Sequence, residues 1–175
     1  MATRGNAIAL PPIRSSFVVP LSQPRAFELF VRKLPEWWPL TQRSVHRERA
    51  VSCHVEAEPG GRLFERASDG SEVLWGNFSL LEEPSRVVFS WHPGTSEKLA
   101  TEIEVCFVAE RAAPPRSRTE EPRASTKVVL EQRGWERLGE RSGFVRGLFE
   151  KSWGAVLGRF VSASQLTLEQ RVELR

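Results

Sequence analysis

A long apolar stretch near the C terminus constrains the fold of this chain most strongly. Between residues 141 and 165, large hydrophobic side chains recur at intervals of three and four, which is the spacing of one face of an α-helix. The members of this stripe are Phe144, Val145, Leu148, Phe149, Trp153, Val156, Leu157, Phe160 and Val161. Charged residues fall largely outside it. A helix with so much aromatic surface must bury it against something large, and we predict that a sheet is its partner.

The middle of the chain changes to a period of two, which indicates strands with one buried face. Val51, Cys53 and Val55 alternate with polar residues, and the same pattern recurs in several later segments. The predicted strands are residues 13–20, 51–56, 62–67, 72–81, 86–92, 100–109 and 126–133. Short turn signals between them predict an antiparallel meander. Such a sheet curls, so the long helix is expected in its concave face.

Two short helices are predicted between the first and second strands. Residues 23–33 carry apolar side chains at helical spacing, with Pro24 in the first turn, where its missing N–H costs nothing. Pro35 ends this helix, and a second short helix or turn follows before Pro39. The order predicts an α+β fold in which a curved antiparallel sheet of about six to seven strands wraps around a long C-terminal helix.

Length and composition limit the number of domains and the classes of binding partner. The chain has 175 residues and a net charge of +3, which fits one soluble domain at residues 13–165. A flexible lead-in (1–12), a proline-rich inserted loop (110–125) and a C-terminal tail (166–175) complete it. No dense run of Lys and Arg predicts nucleic-acid binding, and no apolar run predicts a membrane span.

The cysteines and histidines give no sign of a cofactor or metal. Cys53 and Cys106 are too few for a disulfide scaffold, so a reduced, cytoplasmic location is predicted, and the N terminus lacks the apolar core of a secretory signal. The three histidines have no metal-ligand spacing, and His92, at a strand end, is expected to be exposed. No nucleophile elbow or phosphate loop is present. Whether Glu65 is buried stays open.

Several short motifs, taken in order, resemble a known family. They include Trp37-Trp38-Pro39, Glu58 to Glu65 (EPGGRLFE), Trp75-Gly76, Val87 to Trp91 (VVFSW), and Gly134-Trp135-Glu136. Together they resemble the Activator of Hsp90 ATPase homologue 1-like (AHSA1-like) domains of the START-like, or SRPBCC, helix-grip superfamily. The resemblance covers about residues 17–160. It implies a START/Bet v 1-like helix-grip fold with a cavity between the sheet and the helix.

The same resemblance implies an apolar ligand in that cavity. The residues before Ile13 are not expected to supply the Hsp90-binding domain of the eukaryotic co-chaperone, so an Hsp90 activity is not carried over. The partner expected is a small hydrophobic molecule, with no nucleic acid and no membrane, and a homodimer is left open. No cofactor is expected.

Nine large side chains are the candidate lining of the cavity. They are Trp38, Phe64, Trp75, Phe89, Trp91, Phe107, Trp153, Leu157 and Phe160. Core packing is the alternative for each, and strand parity leaves Phe64 and Trp75 unresolved. On the helix, Phe144, Leu148 and Phe149 are expected to act as anchors. Gly154 and Gly158 indicate either close packing, which we favour, or room for a ligand.

Three functions fit these features. The first is non-catalytic binding of a small hydrophobic or aromatic molecule. The second is a cyclase- or aromatase-like enzyme acting on a polyketide-type substrate, which the absence of tyrosine disfavours. The third is a chaperone-associated interaction module, for which a family name alone is a weak argument. The sequence favours the first.

Overall fold

A computed structural model describes residues 10–110 and 124–173, with side chains up to Thr167. The strands are β1 (Ile13–Val19), β2 (Ala50–Val55), β3 (Arg62–Ala67), β4 (Glu72–Glu82), β5 (Arg86–Trp91), β6 (Thr101–Glu110) and β7 (Ser125–Arg133). The helices are α1 (Gln23–Val31), α2 (Leu34–Trp37) and α3 (Ser142–Glu173), with short 3₁₀ turns at Arg47–Arg49, Glu97–Leu99 and Trp135–Arg141. The predicted element order is therefore confirmed. The predicted lead-in and proline-rich loop lie mostly outside the described residues.

The strands form one antiparallel sheet. Within the described residues it has seven strands in the order β1-β7-β6-β5-β4-β3-β2. The first strand pairs with the last, with Phe17 opposite Val128, so residues more than a hundred positions apart are hydrogen-bonded neighbours. The sheet curls around α3, which confirms the predicted helix-grip architecture.

Strand β6 shows how the sequence pattern sets the two faces of the sheet. Thr101, Ile103, Val105 and Phe107 are buried, as their alternation predicts. Glu104 lies on the other face, where it forms ion pairs with arginines on the neighbouring strands. The apolar half of the alternation therefore builds the concave face on which the helices pack.

Gly76 sits where β4 is bulged and another strand passes close by. The register of β3 with β4 shifts between Leu63 and Phe64, which leaves Trp75 as the extra residue. A Cβ at Gly76 would lie 1.7 Å from the carbonyl oxygen of Ser90 on β5. The prediction of a bulge or a close approach at this glycine is confirmed on both counts.

The sheet grips the middle of α3 rather than its beginning. The buried residues of α3 include Trp153, Val156, Leu157 and Phe160. The centroid of the Phe160 ring lies 5.0 Å from that of Phe30 on α1. Phe144 is 73% exposed and Leu148 is 52% exposed. The prediction that these two residues anchor the helix is wrong, because periodicity identifies an apolar face but not which of its turns the sheet reaches.

Two further expectations about α3 need correction. The helix continues to Glu173, beyond its predicted end at Gln165, so most of the predicted tail is helical. A Cβ built at Gly154 or Gly158 meets nothing within 4 Å. Close packing is therefore not the reason for these glycines, and they face open space. No helix in the described part of the chain is long and apolar enough to cross a membrane.

Candidate functional site

A cavity of about 360 Å³ opens between the segment after α2, the end of β5 and the first half of α3. Its lining residues are Trp38, Arg43, Trp91, Pro93, Leu148, Phe149, Ser152, Trp153 and Val156. Leu148 and Arg43 are exposed, so the cavity has a solvent-facing side. The deeper wall is aromatic and buried, which is typical of sites for small apolar molecules.

Three separate elements bring this wall together. Trp38 directly follows α2, where Pro39 stops any continuation of the helix. Trp91 ends β5, and Pro93 follows it where the strand pairing stops. The contribution of α3 comes from positions 148, 149, 152, 153 and 156, which lie on one face because residues three or four positions apart are neighbours on a helix surface.

Tryptophan rings in contact stiffen the wall. The Trp38 ring centroid lies 5.5 Å from that of Trp91 and 5.3 Å from that of Trp75. Trp75 is almost fully buried and lies behind the other two, outside the cavity lining. These tilted and edge-on contacts add stabilisation beyond the buried area itself.

Most polar groups of the lining already have partners within the chain. The Trp153 Nε1–H donates to Gln132 Oε1 at 2.7 Å, and the Trp38 Nε1–H donates to the Arg43 carbonyl at 3.4 Å. Ser152 Oγ donates to the Phe149 carbonyl at 3.1 Å. Trp91 Nε1 is buried and has no partner among the described residues, and the same part of the chain offers no carboxylate to the Arg43 guanidinium.

Behind the wall, a fully buried carboxylate holds the segment that carries Arg43. Glu65 on β3 accepts hydrogen bonds from the backbone N–H groups of Val45 at 2.9 Å and His46 at 2.6 Å. It also accepts from Trp75 Nε1 at 3.0 Å, and His46 Nδ1 lies 2.8 Å from it. Three N–H donors and the His46 ring surround this one carboxyl group, so the cost of burying it is offset locally.

Of the nine candidate lining residues, Trp38, Trp91 and Trp153 lie at the cavity. The Phe107 ring instead packs against the rings of Phe27 and Phe30 in the core. Leu157, Phe160 and Phe89 are also packed in the core and, like Trp75, do not line the cavity.

Phe64 lies on the opposite side of the sheet. Its neighbours Leu63 and Glu65 point inward, so the pleat directs the Phe64 ring outward. There it stacks on the His54 ring, with 4.9 Å between the ring centroids. The Cζ atom of the Arg62 guanidinium lies 4.3 Å from the centroid of the Phe64 ring.

The sequence analysis did not assign several of the lining residues. Phe149, Ser152 and Val156 could have been found from their helical spacing to Trp153, whereas Arg43 and Pro93 carry no local signal. His92, expected to be exposed, is buried, and its Nδ1 lies 3.1 Å from the Thr95 carbonyl oxygen. Across the described residues, no cluster of three or more metal-ligating side chains is present.

Comparison with solved structures places this geometry among known folds. The self-sacrificing resistance protein CalC from Micromonospora echinospora is 26% identical, over 90% of this chain and 96% of CalC, with a TM-score of 0.63. An anthrahydroquino-γ-pyrone synthase, Txn09, is 27% identical over 88% of this chain and 97% of its own, with a TM-score of 0.56. The chain has the START-like helix-grip fold of these proteins.

Solved structures of lower sequence identity share the fold alone. Protein MLL2253 from Mesorhizobium loti is 12% identical over 90% of this chain and 97% of its own, with a TM-score of 0.58. No family model matches the chain, and a search of curated proteins found no significant match. The resemblance to AHSA1-like domains therefore continues to rest on the sequence motifs.

Proposed function

We propose that this protein binds a small hydrophobic or aromatic molecule in the cavity between Trp38, Trp91 and Trp153. The observation that supports this most directly is the cavity itself, because its volume of about 360 Å³ falls in the usual range for ligand sites. Its walls are largely aromatic. The START-like fold is one that holds hydrophobic ligands, in agreement with this proposal.

A cyclase- or aromatase-like activity is the main alternative. One similar structure is named a synthase and another a resistance protein, so these names do not choose between catalysis and binding. General acid–base catalysis needs a group that can exchange a proton near neutral pH. Within the described residues, the cavity lining contains no carboxylate, histidine or cysteine. Binding without chemistry is therefore the better-supported function.

A chaperone-associated role has no specific support from this geometry. The cytoplasmic location stays a prediction, and a homodimer stays a hypothesis.

Binding can be tested by isothermal titration calorimetry with anthraquinone-2-carboxamide, a flat uncharged aromatic molecule that fits the proposed site. We expect saturable binding at one site per chain. Ser152→Phe should abolish it, because the added ring would occupy the cavity from the α3 side. Ala155→Phe is the matched control, since Ala155 is an exposed residue of the same helix outside the lining.

Trp153→Ala is a second test of the same wall. It should weaken binding and lower the free energy of unfolding by about 3–5 kcal/mol, the usual cost of removing a buried tryptophan. The proposal would be overturned if Ser152→Phe and the folded fraction of Trp153→Ala both bound anthraquinone-2-carboxamide as tightly as the wild-type protein does. That result would mean that the ligand binds elsewhere.

A further inference from the structure

We infer that Ser71 is an activated nucleophile that takes the acyl group of a small activated ester, with His46 as its base and Glu65 as the positioning residue behind it. This activity goes beyond the proposed function, because none of the three residues lies in the described lining of the cavity. It follows from a chain of hydrogen bonds that runs from the core to the turn between β3 and β4.

Three side chains form a serine–histidine–carboxylate arrangement. His46 Nδ1 lies 2.8 Å from Glu65 Oε1, and His46 Nε2 lies 3.2 Å from Ser71 Oγ. The Glu65 side chain is fully buried and that of His46 is 7% exposed, whereas Ser71 is an exposed residue. A nucleophile within hydrogen-bond reach of a base that a third group orients is the geometry of nucleophilic catalysis. A substrate can therefore reach this arrangement at its serine end.

The imidazole of His46 is held in one orientation. Glu65 Oε1 also accepts the backbone N–H of His46 at 2.6 Å, so one oxygen contacts both the main chain and the ring. Glu65 Oε2 accepts the Val45 N–H at 2.9 Å and the Trp75 Nε1–H at 3.0 Å. A carboxyl group that accepts these three N–H groups is an acceptor for the imidazole too, which assigns the ring proton to Nδ1. His46 Nε2 is then the acceptor that faces Ser71.

A second serine–histidine pair offers a comparison within the same chain. Ser52 Oγ lies 2.8 Å from His54 Nε2, and the His54 ring stacks on Phe64. Among the described residues, no acidic side chain forms a hydrogen bond with His54. This pair therefore lacks the group that fixes the tautomer and the ring orientation at His46.

Asp69 competes with His46 for the hydroxyl proton of Ser71. Its Oδ1 lies 2.6 Å from Ser71 Oγ and accepts the Ser71 N–H at 2.9 Å. Because a hydroxyl has one proton, it must turn from Asp69 to His46 before the reaction. Hydrogen bonds from Ser71 lower the pKa of Asp69, which makes this carboxylate a weak base. Arg49 donates to the other oxygen of Asp69 at 3.2 Å and places a positive charge beside the site, which favours a developing oxyanion.

The proposed reaction is ester hydrolysis through an acyl-serine. Ser71 Oγ attacks the carbonyl carbon of the ester as its proton passes to His46 Nε2. The tetrahedral intermediate collapses, the bond to the leaving oxygen breaks, and that oxygen takes the proton from His46. Water, deprotonated by the same nitrogen, then attacks the acyl group and releases it as a carboxylic acid, which restores Ser71. Each turnover consumes one ester and one water.

The reaction can be tested with p-nitrophenyl acetate, whose ester is both small and activated. Absorbance measures the release of p-nitrophenolate, and peptide mass spectrometry locates the acetyl group after short exposure at neutral pH. We expect the acetyl group on Ser71 to appear about 100-fold faster than on Ser68 or Ser52, the usual gain from a positioned base. Ser68 is the closest comparison, since it is an exposed serine of the same turn.

Substitutions assign the roles of the individual residues. Ser71→Ala should reduce p-nitrophenolate release to the background rate, and Ser68→Ala is the matched control that should leave it unchanged. His46→Asn should slow the acetylation of Ser71 by about 100-fold, because its amide keeps a donor for Glu65 but cannot take a proton. Asp69→Asn keeps an acceptor for the Ser71 N–H and should not slow the reaction. Circular dichroism shows whether each variant is folded.

The inference would be overturned by any of three results. The first is that Ser71 in the wild-type protein is acetylated no faster than Ser68. The second is an unchanged rate in folded His46→Asn, and the third is a reaction that Asp69→Asn abolishes, which would make Asp69 the base. None of these results bears on ligand binding in the cavity, because the assay uses a different part of the molecule.

Discussion

At the scale of single residues, Glu65 connects the core to the cavity. Its side chain is fully buried, and its four hydrogen-bond contacts join β3 to Trp75 and to the segment at Val45 and His46. Trp75 in turn supports the Trp38 ring of the cavity wall. One carboxylate therefore positions both the aromatic wall and the backbone that carries Arg43.

We predict that Glu65→Gln lowers the free energy of unfolding by about 3 kcal/mol. The substitution replaces a carboxylate oxygen by an amide NH₂, so at least one buried donor loses its acceptor. Urea denaturation followed by tryptophan fluorescence measures the effect. Glu58→Gln is the control, since Glu58 is exposed and its change should stay within about 0.5 kcal/mol. A loss below about 1 kcal/mol for Glu65→Gln would show that the network contributes little.

At the scale of elements, α3 is built from two different halves. Its middle turns are buried against the sheet and α1, while its first turns carry Phe144 and Leu148 into solvent and form the rim of the cavity. The exposed glycines Gly154 and Gly158 lie on the side away from the sheet, where a side chain would meet no neighbour. They weaken the helix without serving its packing.

We predict that Gly154→Ala and Gly158→Ala each stabilise the protein by about 0.5–1 kcal/mol. Alanine lowers the backbone entropy of the unfolded chain and fits a helix better than glycine. Each change should raise the melting temperature by about 1–4 °C in differential scanning calorimetry. Gly76→Ala is the contrasting variant and should destabilise, because its Cβ would overlap the Ser90 carbonyl oxygen. A melting temperature lowered by the α3 substitutions would mean that these glycines make contacts absent from this structure.

At the scale of the whole molecule, ion pairs on the outer face of the sheet tie the stability of the fold to pH. The hydrogen bonds from Arg62 lower the pKa of Glu56. Burial acts to raise the pKa of Glu104, but the hydrogen bonds from Arg133 and Arg86 outweigh it, so its pKa is also lowered. Groups with a depressed pKa stabilise the folded state above their unfolded pKa of 4.5, and this contribution is lost as the pH falls through the folded pKa.

A buried thiol sets the opposite limit at alkaline pH. Burial raises the pKa of Cys53 from 9.0 to about 11. Because the folded state holds this proton more tightly, the thiol contributes stability that is complete below pH 9.0 and is lost as the pH rises towards about 11.

We therefore predict a plateau in stability between about pH 5 and 9, with a fall on either side. Urea denaturation midpoints across the pH range measure it. In Cys53→Ala the alkaline fall should become shallower while the acid fall is unchanged. If stability falls as steeply at alkaline pH in Cys53→Ala as in the wild-type protein, Cys53 is not the cause of that fall.

The amino-acid sequence by itself determined the elements and their faces. The alternation in β6 identified Ile103, Val105 and Phe107 as buried, and the helical stripe identified α3, because periodicity along the chain directly encodes which side of an element is apolar. Only the tertiary structure decided where the cavity lies. The buried turns of α3, the burial of Glu65 and the meeting of Trp38, Trp91 and Trp153 at one cavity all depend on contacts between segments far apart in the chain. No local pattern records such contacts, since they arise only when the sheet curls and the helices fill its concave face.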